Sequence, residues 1–544
     1  MTQQNEASLS SEGGLALGAA VARSRERMLF NGAVLALVLA LWSIPRLSFA
    51  DGGVHIAMAH LLTALMDGSA HPVLARYFEL NLQTEPNWFI YPILVLLLQV
   101  FEPHTAEKAL LTGYVVGLPF AFRYAVTALR PENAPLSWFA LPFVFSWPLN
   151  LGLYNFIFSL PWLFLALGYA LRHRDDLTPA RTAVLALLAV GTYFAHVTSV
   201  IVLVLVLGAL GVWRLWREGA RAWPPVLASA AALLPVLALT AAFALRNAGQ
   251  EIGYGPDPWY RTKMLLYGNP LLSHTRWEGV FTTPLALLPF VAAGLLLWRR
   301  RGGGWTAADG LLLGAVGVTL FGYVIPNNTS GGGLAVQRIQ IYPYLLIVLW
   351  LAATTDWPAL RRATVAVAGV AAAGLLAVNL FYNHLHSRYV AEFETAASYL
   401  EPGSTMLLLD FTGWNHSPDG RYDSFRMNFI GHPQSRFVAD RPVVDLNLYQ
   451  ASTPNFPVKY RYWKDPYLHV RGTGAHPEAP PTDEFLMAGT RSEIQVDYAL
   501  VWGLTPDRAA ADRANLTLDQ LAEGYELAHV SENGWMRIYR RKER

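Results

Sequence analysis

Runs of roughly twenty apolar residues recur along this chain, and runs of that length fold as helices that cross a bilayer. Examples are "GAVLALVLALWSI" (32–44), "VLALLAVGTYFAHVTSVIVLVLVLGALGVW" (184–213) and "VAVAGVAAAGLLAVNLF" (365–381). Composition agrees: of 544 residues 53% are hydrophobic and only 15% charged, with a mean hydropathy of +0.29. Soluble globular chains carry about 25% charge. The pattern predicts an α-helical polytopic membrane protein with about ten to twelve crossings. Residues 1–28 form a polar tail without a cleavable-signal pattern, so the first helix is expected to stay as an anchor. Cysteine is absent, which removes disulfides and thiolate metal sites and leaves Asp, Glu and His as ligands.

Arginine-rich short loops set the orientation, because such loops stay on the cytoplasmic side. Four qualify: 172–181, 214–223, 298–304 and 360–364. With the "RSRER" tail they define one face, and the segments between them alternate until 364–382 leads outward. Residues 182–213 must start and end on the basic side, which predicts two helices meeting at the other face with a break near "YFAHVT" and His196 at that break. The region 50–135 fits less simply. Counting 87–102 and 108–129 both as crossings puts "ALRPENAP" (128–135) opposite the basic loops, so 52–66, 87–102 or 136–149 is expected to be re-entrant or interfacial.

Three domains follow: a cytoplasmic tail (1–28), a transmembrane domain (29–383) whose first external loop covers about 50–86, and an extracytoplasmic domain (384–544). The last is polar and rich in Pro, Gly and aromatics. Its strand-like runs 405–411, 496–503, 525–531 and 535–541, with a helix-like 517–523, read as a small α/β domain.

Candidate chemistry begins at "FADGGVHIAMAHLLTAL" (49–65), where an acid and two histidines follow the first apolar run at once. The run after Asp51 has helical periodicity with His55 and His60 at polar positions, and reads as an amphipathic helix on the membrane surface. Asp51 and His55 are four apart and share a face if that helix begins early. The pair can hold a divalent cation such as Mg or Mn, or the carboxylate can take a proton from an attacking hydroxyl. Arg338 follows the loop "NNTSGGG" at the outer mouth of an apolar helix; there an arginine either snorkels to headgroups or binds phosphate bidentately. Gln337 and Gln340 can add hydrogen bonds. His196 is an ionisable group within an apolar run, and such groups are functional candidates by default. Glu79 and Glu85 share the first external loop with Asp51. Glu251 and Asp257 lie in a Gly-, Pro- and aromatic-rich loop suited to covering a sugar, although loop acids are more often simply solvated.

These segments together resemble the GT-C glycosyltransferases. A first helix, an acid opening the first outer loop, a "D-x-x-x-H-x-x-x-A" helix and "EPNWFIYPILVLLLQVFEP" are similar to the start of that superfamily. "GGGLAVQRIQIYPYLLIVLW" (331–350) is similar to its "R-Y-x-x-P-x-x-P" signature, with Ile339 and Ile341 in place of the usual aromatic. "WPLNLGLYNFIFSLPWLFL" (147–165) resembles its outer turn with an Asn before a helix. The resemblance implies that Asp51 is the catalytic or metal-binding acid, that Arg338 holds a lipid-linked phosphate, and that the donor is a sugar on polyprenyl phosphate. The acceptor is then a carbohydrate, lipid or protein in the periplasm, beside the inner membrane of a bacterium.

On that expectation the reaction is an inverting displacement, with Asp51 as base and Arg338 and His196 at the departing phosphate. Two other classes share the sequence features: a non-catalytic component of envelope polysaccharide assembly, and a transporter. A transporter needs polar or broken helices at mid-membrane, whereas here the polar candidates cluster towards one face. No Walker motif and no nucleic-acid-binding patch is present.

Overall fold

The structure, a computed structural model, describes all residues except 1, 250–251, 302, 329–331, 413–414, 428–429, 470–493, 510–511 and 543–544, and no side chains at 2–20, 468–469 and 512–517. Its helices are α1 (Thr2–Ser43), α2 (Gly52–Asp67), α3 (Pro72–Tyr77), α4 (Ile90–Leu98), α5 (Pro103–Val126), α6 (Trp147–Asn150), α7 (Tyr154–Arg172), α8 (Pro179–Ala195), α9 (Val197–Glu218), α10 (Trp223–Arg246), α11 (Pro258–Leu266), α12 (Gly279–Arg299), α13 (Asp309–Val324), α14 (Ala335–Ile339), α15 (Ile341–Thr354), α16 (Pro358–Glu394) and α17 (Phe437–Asp440). A 3₁₀ segment, Pro131–Phe143, lies between α5 and α6. Seven stretches are long and apolar enough to cross a membrane; one of them, 197–246, contains both α9 and α10, while α8 and α13 are shorter apolar helices.

Ion pairs and polar contacts gather the basic loops on one face. Arg123 binds Glu26 at 2.6 Å, Arg130 pairs with Asp356, Arg361 donates to the Glu132 carbonyl, and Arg214 binds Asp175 at 2.9 Å. The Trp213 indole donates to the Thr306 carbonyl, and Arg299 lies over Trp357. From that face the chain alternates along α1, α5, the 3₁₀ segment, α7, α8, α9, α10, α12, α13, α15 and α16, eleven passes among the described residues. The α8–α9 break falls at His196, as the loop charges predict.

This arrangement settles the region 50–150. Helix α4 has nine residues, about 14 Å at 1.5 Å per residue, too short for a hydrocarbon core of roughly 30 Å. Residues 87–102 therefore do not cross, and 128–135 joins the basic face through Arg130 and Glu132. The segment that does cross is Pro131–Phe143. Its prolines at 131, 135 and 142 remove amide donors that an α ladder needs, and it packs in the tighter form against α16 and α5. Irregular backbone at membrane depth is tolerated only under protein cover, and Leu136, Phe139, Ala140 and Phe143 are buried.

The C-terminal part carries a five-stranded sheet. Strand β2 (Thr405–Asp410) pairs in parallel with β3 (Val444–Asp445) and β5 (Tyr498–Trp502), and β7 (Met536–Arg541) pairs antiparallel with β5 and β6 (Tyr525–Val530). The buried run Thr405–Leu409 and a fully buried β5 form its centre. Helix α16 continues past the membrane run to Glu394 before the sheet begins. A second, two-stranded sheet joins the domains: β1 (Phe78–Leu80) from the first outer loop pairs antiparallel with β4 (Val458–Tyr460).

Helix α2 differs from the amphipathic surface helix read from the sequence. It is buried along nearly its whole length, including His55, beneath α4 on one side and residues 433–440 on the other. His55 is enclosed by Tyr91, Tyr154 and Phe456 rather than by headgroups, while His60 is partly buried, and periodicity reports a polar face without saying what covers it.

Candidate functional site

Asp51 stands at the N-cap of α2, yet its side chain makes no capping bond. Two strand-like backbone bonds hold it: Ala50 N donates to Asn150 O at 2.9 Å and Asp51 N to Leu151 O at 3.1 Å. The turn that receives them needs Gly152, whose φ of +73° falls in the region open to glycine and where a Cβ would lie 2.6 Å from the Asp51 nitrogen. Asn150 is itself pinned by hydrogen bonds to Ser273 at 3.0 Å and Asn379 at 2.7 Å. The "GG" after Asp51 has an equally local cause. A Cβ on Gly52 would meet Glu107 Oε1 at 2.3 Å, and one on Gly53 the His432 carbonyl at 2.7 Å.

The C-terminal domain closes over the acid. Tyr449 donates its hydroxyl to Asp51 Oδ2 at 3.2 Å, His432 Nε2 lies 3.9 Å from Oδ1, and the His432 amide donates to the Ala50 carbonyl at 2.8 Å. The Asp51 side chain keeps 16% of its exposure, so a substrate can still reach it. Burial pushes its carboxyl up to about 7, against the opposing pull of the Tyr449 hydroxyl, the Arg338 charge and the Gln450 amide. Burial also drives His432 down to about 4, so it is neutral beside the acid. A base whose pKa lies near the working pH is matched to proton abstraction. Tyr449→Phe removes a bond that favours the carboxylate, so the acid limb of the pH–rate profile is expected to move to higher pH; an unmoved limb would dissociate Tyr449 from Asp51.

Arg338 reaches this cleft from the opposite side, near enough for its charge to act on Asp51 and Tyr449. It belongs to the five-residue α14, which is entered through Leu334 at φ +65°. That left-handed conformation costs a non-glycine residue about 1–2 kcal/mol, and such strain collects at functional sites. The guanidinium lies over Phe156, with Nη1 3.0 Å from His196 Nε2, while its Nε is buried without a partner among the described residues. His196 caps α9 by accepting from the Thr198 amide at Nδ1, 3.1 Å. A neutral imidazole accepting at Nδ1 carries its proton on Nε2, so two donors face one another across that 3.0 Å. An anionic oxygen is the group that satisfies both.

The structure thus sets Arg338 against His196 and within electrostatic reach of Asp51, and leaves the other candidates elsewhere. His55 is buried with Nδ1 on the Tyr91 hydroxyl and Nε2 on the Gly152 carbonyl, each 2.9 Å, and stacks on Tyr154. Both nitrogens are committed, so it supports the Gly152 turn and does not join Asp51 as a ligand. Glu79 pairs with Lys459 and Arg461 across the β1–β4 sheet. Glu85 binds Arg246 at the end of α10. Gln340 donates to the Arg261 carbonyl, bracing α11, and Gln337 is partly buried with its Oε1 unpartnered among the described residues. Asp257 caps α11 through the Tyr260 amide. Glu251 lies outside the described residues.

For a divalent cation the donor set around Asp51 is sparse. Among the described residues no three His, Asp or Glu side chains converge. His55 is committed elsewhere, and the charge of Arg338 acts on Asp51 as well. Sequence reasoning missed His432, Tyr449 and Gln450. They lie on irregular turns of the C-terminal domain, and the one available signal was an aromatic- and Gln-bearing run, "NLYQAS" (447–452).

No family model matches the chain, and no curated protein does. Among solved structures, the crystal structure of ArnT from Cupriavidus metallidurans bound to undecaprenyl phosphate aligns with a TM-score of 0.53 at 11% identity, covering 94% of this chain and 97% of that one. The chain shares the overall fold of that structure, a mostly helical membrane protein with a small C-terminal sheet region.

Proposed function

We propose that this chain is a membrane glycosyltransferase that moves a sugar from a polyprenyl-phosphate donor to an acceptor hydroxyl. The observation that carries the reading is the meeting of Asp51 with Arg338 and His196, from widely separated helices, in one cleft away from the basic loops. The likeness to a fold solved with undecaprenyl phosphate supports a lipid-linked donor. The positive-inside rule puts the basic loops in the cytoplasm, so the cleft opens on the periplasmic side of a bacterial inner membrane.

The chemistry follows from the arrangement. Asp51, deprotonated above about pH 7, accepts the proton of the acceptor hydroxyl as that oxygen bonds to the anomeric carbon. The bond from the anomeric carbon to the phosphate oxygen breaks on the opposite side, and its electron pair leaves with the phosphate. Attack from one face and departure from the other inverts the anomeric centre. Arg338 and the Nε2 proton of His196 receive the charge that grows on the leaving oxygen, and fixed donors aimed at developing charge supply much of an enzyme's rate. Tyr449 and Gln450 hold the base in its ionised form.

The test is transfer in proteoliposomes containing the full chain and a panel of polyprenyl-phosphate sugars. Wild type is expected to consume at least one donor and release the free lipid phosphate. Arg338→Gln is expected to raise the donor KM and lower kcat, because phosphate is bound in the ground state and more tightly as it departs. Wild type inert with every donor, in the presence of cell-envelope acceptors, would turn the reading towards a non-catalytic assembly component.

A further inference from the structure

A second site lies at the basic face. A cavity of about 250 Å³ opens between the ends of α7, α9 and α10, with residues 307–308 beside it. Its inner wall is apolar, made by Leu171, Leu207 and Leu233 with the glycines of α9, and nothing lies within 4 Å of where a Cβ of Gly208 would stand. Such a wall gives water none of the polar partners it needs. Two features mark the mouth. Trp213 lies tilted against Trp216 at 5.0 Å and meets Trp305 edge-on at 5.6 Å, which gathers indoles where membrane proteins place them, at headgroup level. Beside them stand Arg174, Arg214 and Arg217. Asp175 pairs with the first two and Glu218 with Arg214, so among the described residues Arg217 has no carboxylate partner and the rim is net positive.

We infer that this cavity binds one anionic phospholipid of the inner leaflet, with an acyl chain along α9 and α10 and the phosphate on Arg217. The charge of the rim selects an anionic over a zwitterionic headgroup, since basic residues at a membrane surface attract acidic lipids. The apolar wall beneath suits an acyl chain better than water. The inference is independent of the proposed transfer reaction, because the cavity lies on the opposite face from Asp51.

The experiment uses the full chain in nanodiscs of equal phosphatidylglycerol and phosphatidylcholine, released into a native mass spectrometer. Wild type is expected to retain one phosphatidylglycerol at least fivefold more often than one phosphatidylcholine. Gly208→Leu, which fills the cavity, is expected to lose the retained lipid. Arg217→Gln, an exposed change that leaves the cavity's shape intact, is expected to keep a lipid but lose the preference. Equal retention of the two lipids by wild type would overturn the inference, as would wild-type preference in Arg217→Gln. If Gly208→Leu fails to fold, the Arg217→Gln comparison alone decides it.

Discussion

Asp51→Asn protein, reconstituted at wild-type yield, is expected to transfer sugar about 10²–10⁴-fold more slowly, the range for loss of a general base. The substitution is nearly isosteric, and the Asp51 side chain makes no capping bond whose loss would unfold α2. Its main consequence is therefore chemical. The matching signature is pH dependence. Burial holds the carboxyl at about 7, so wild-type kcat/KM should fall about tenfold per unit below that pH and level off above it. Asp51→Asn should show low activity without this limb. An asparagine variant that transfers at the wild-type rate would remove Asp51 from the mechanism, and a wild-type profile flat from pH 5 to 8 would assign the proton transfer to another group.

Arg436→Met is expected to cost roughly 3–5 kcal/mol, because it strands a buried carboxylate without its partner. Arg436, from the C-terminal domain, reaches Glu107 of α5 at 2.5 Å, and both side chains are almost wholly buried. The Tyr154 hydroxyl shares that carboxylate, and His55 stacks on the Tyr154 ring. The pair therefore ties the lid of the site to the membrane domain beside Gly52, the residue next to Asp51. Thermal unfolding in detergent should show a lower midpoint for Arg436→Met, and the double variant Glu107→Gln/Arg436→Met should recover much of it, since two neutral groups leave no buried charge. A single variant as stable as wild type would show that the domains are held together by other contacts.

How far the sequence foretold these features depended on where each signal lay. Helix identity, the basic face and the break at His196 were legible because each is written within some twenty residues, in hydropathy or in arginines. Asp51 and Arg338 stood out because polar groups at the ends of apolar runs are conspicuous. The failures were non-local. Nothing in "VHIAMAHLLTALM" says that residues 433–440 will lie over it, and a buried helix whose His55 is satisfied at both nitrogens has the same periodicity as one lying on lipid. Pro131–Phe143 was hard to place because its prolines look like a loop until α16 and α5 enclose them. Tyr449 and His432 carried no motif at all; their importance comes only from the tertiary contact with Asp51.

The pairing of β1 with β4 also bears on how the protein is made. Leu80 leaves the ribosome long before Val458, its partner in the register. At roughly 5–20 residues per second, the intervening chain of about 380 residues takes some 20–75 s to synthesise. During that interval the first outer loop has no strand to pair with and Asp51 has no Tyr449. A nascent chain translated past Arg338 but arrested before residue 449 would present the acid and the arginine without the groups that tune them, so the finished site belongs only to a chain extended beyond Gln450.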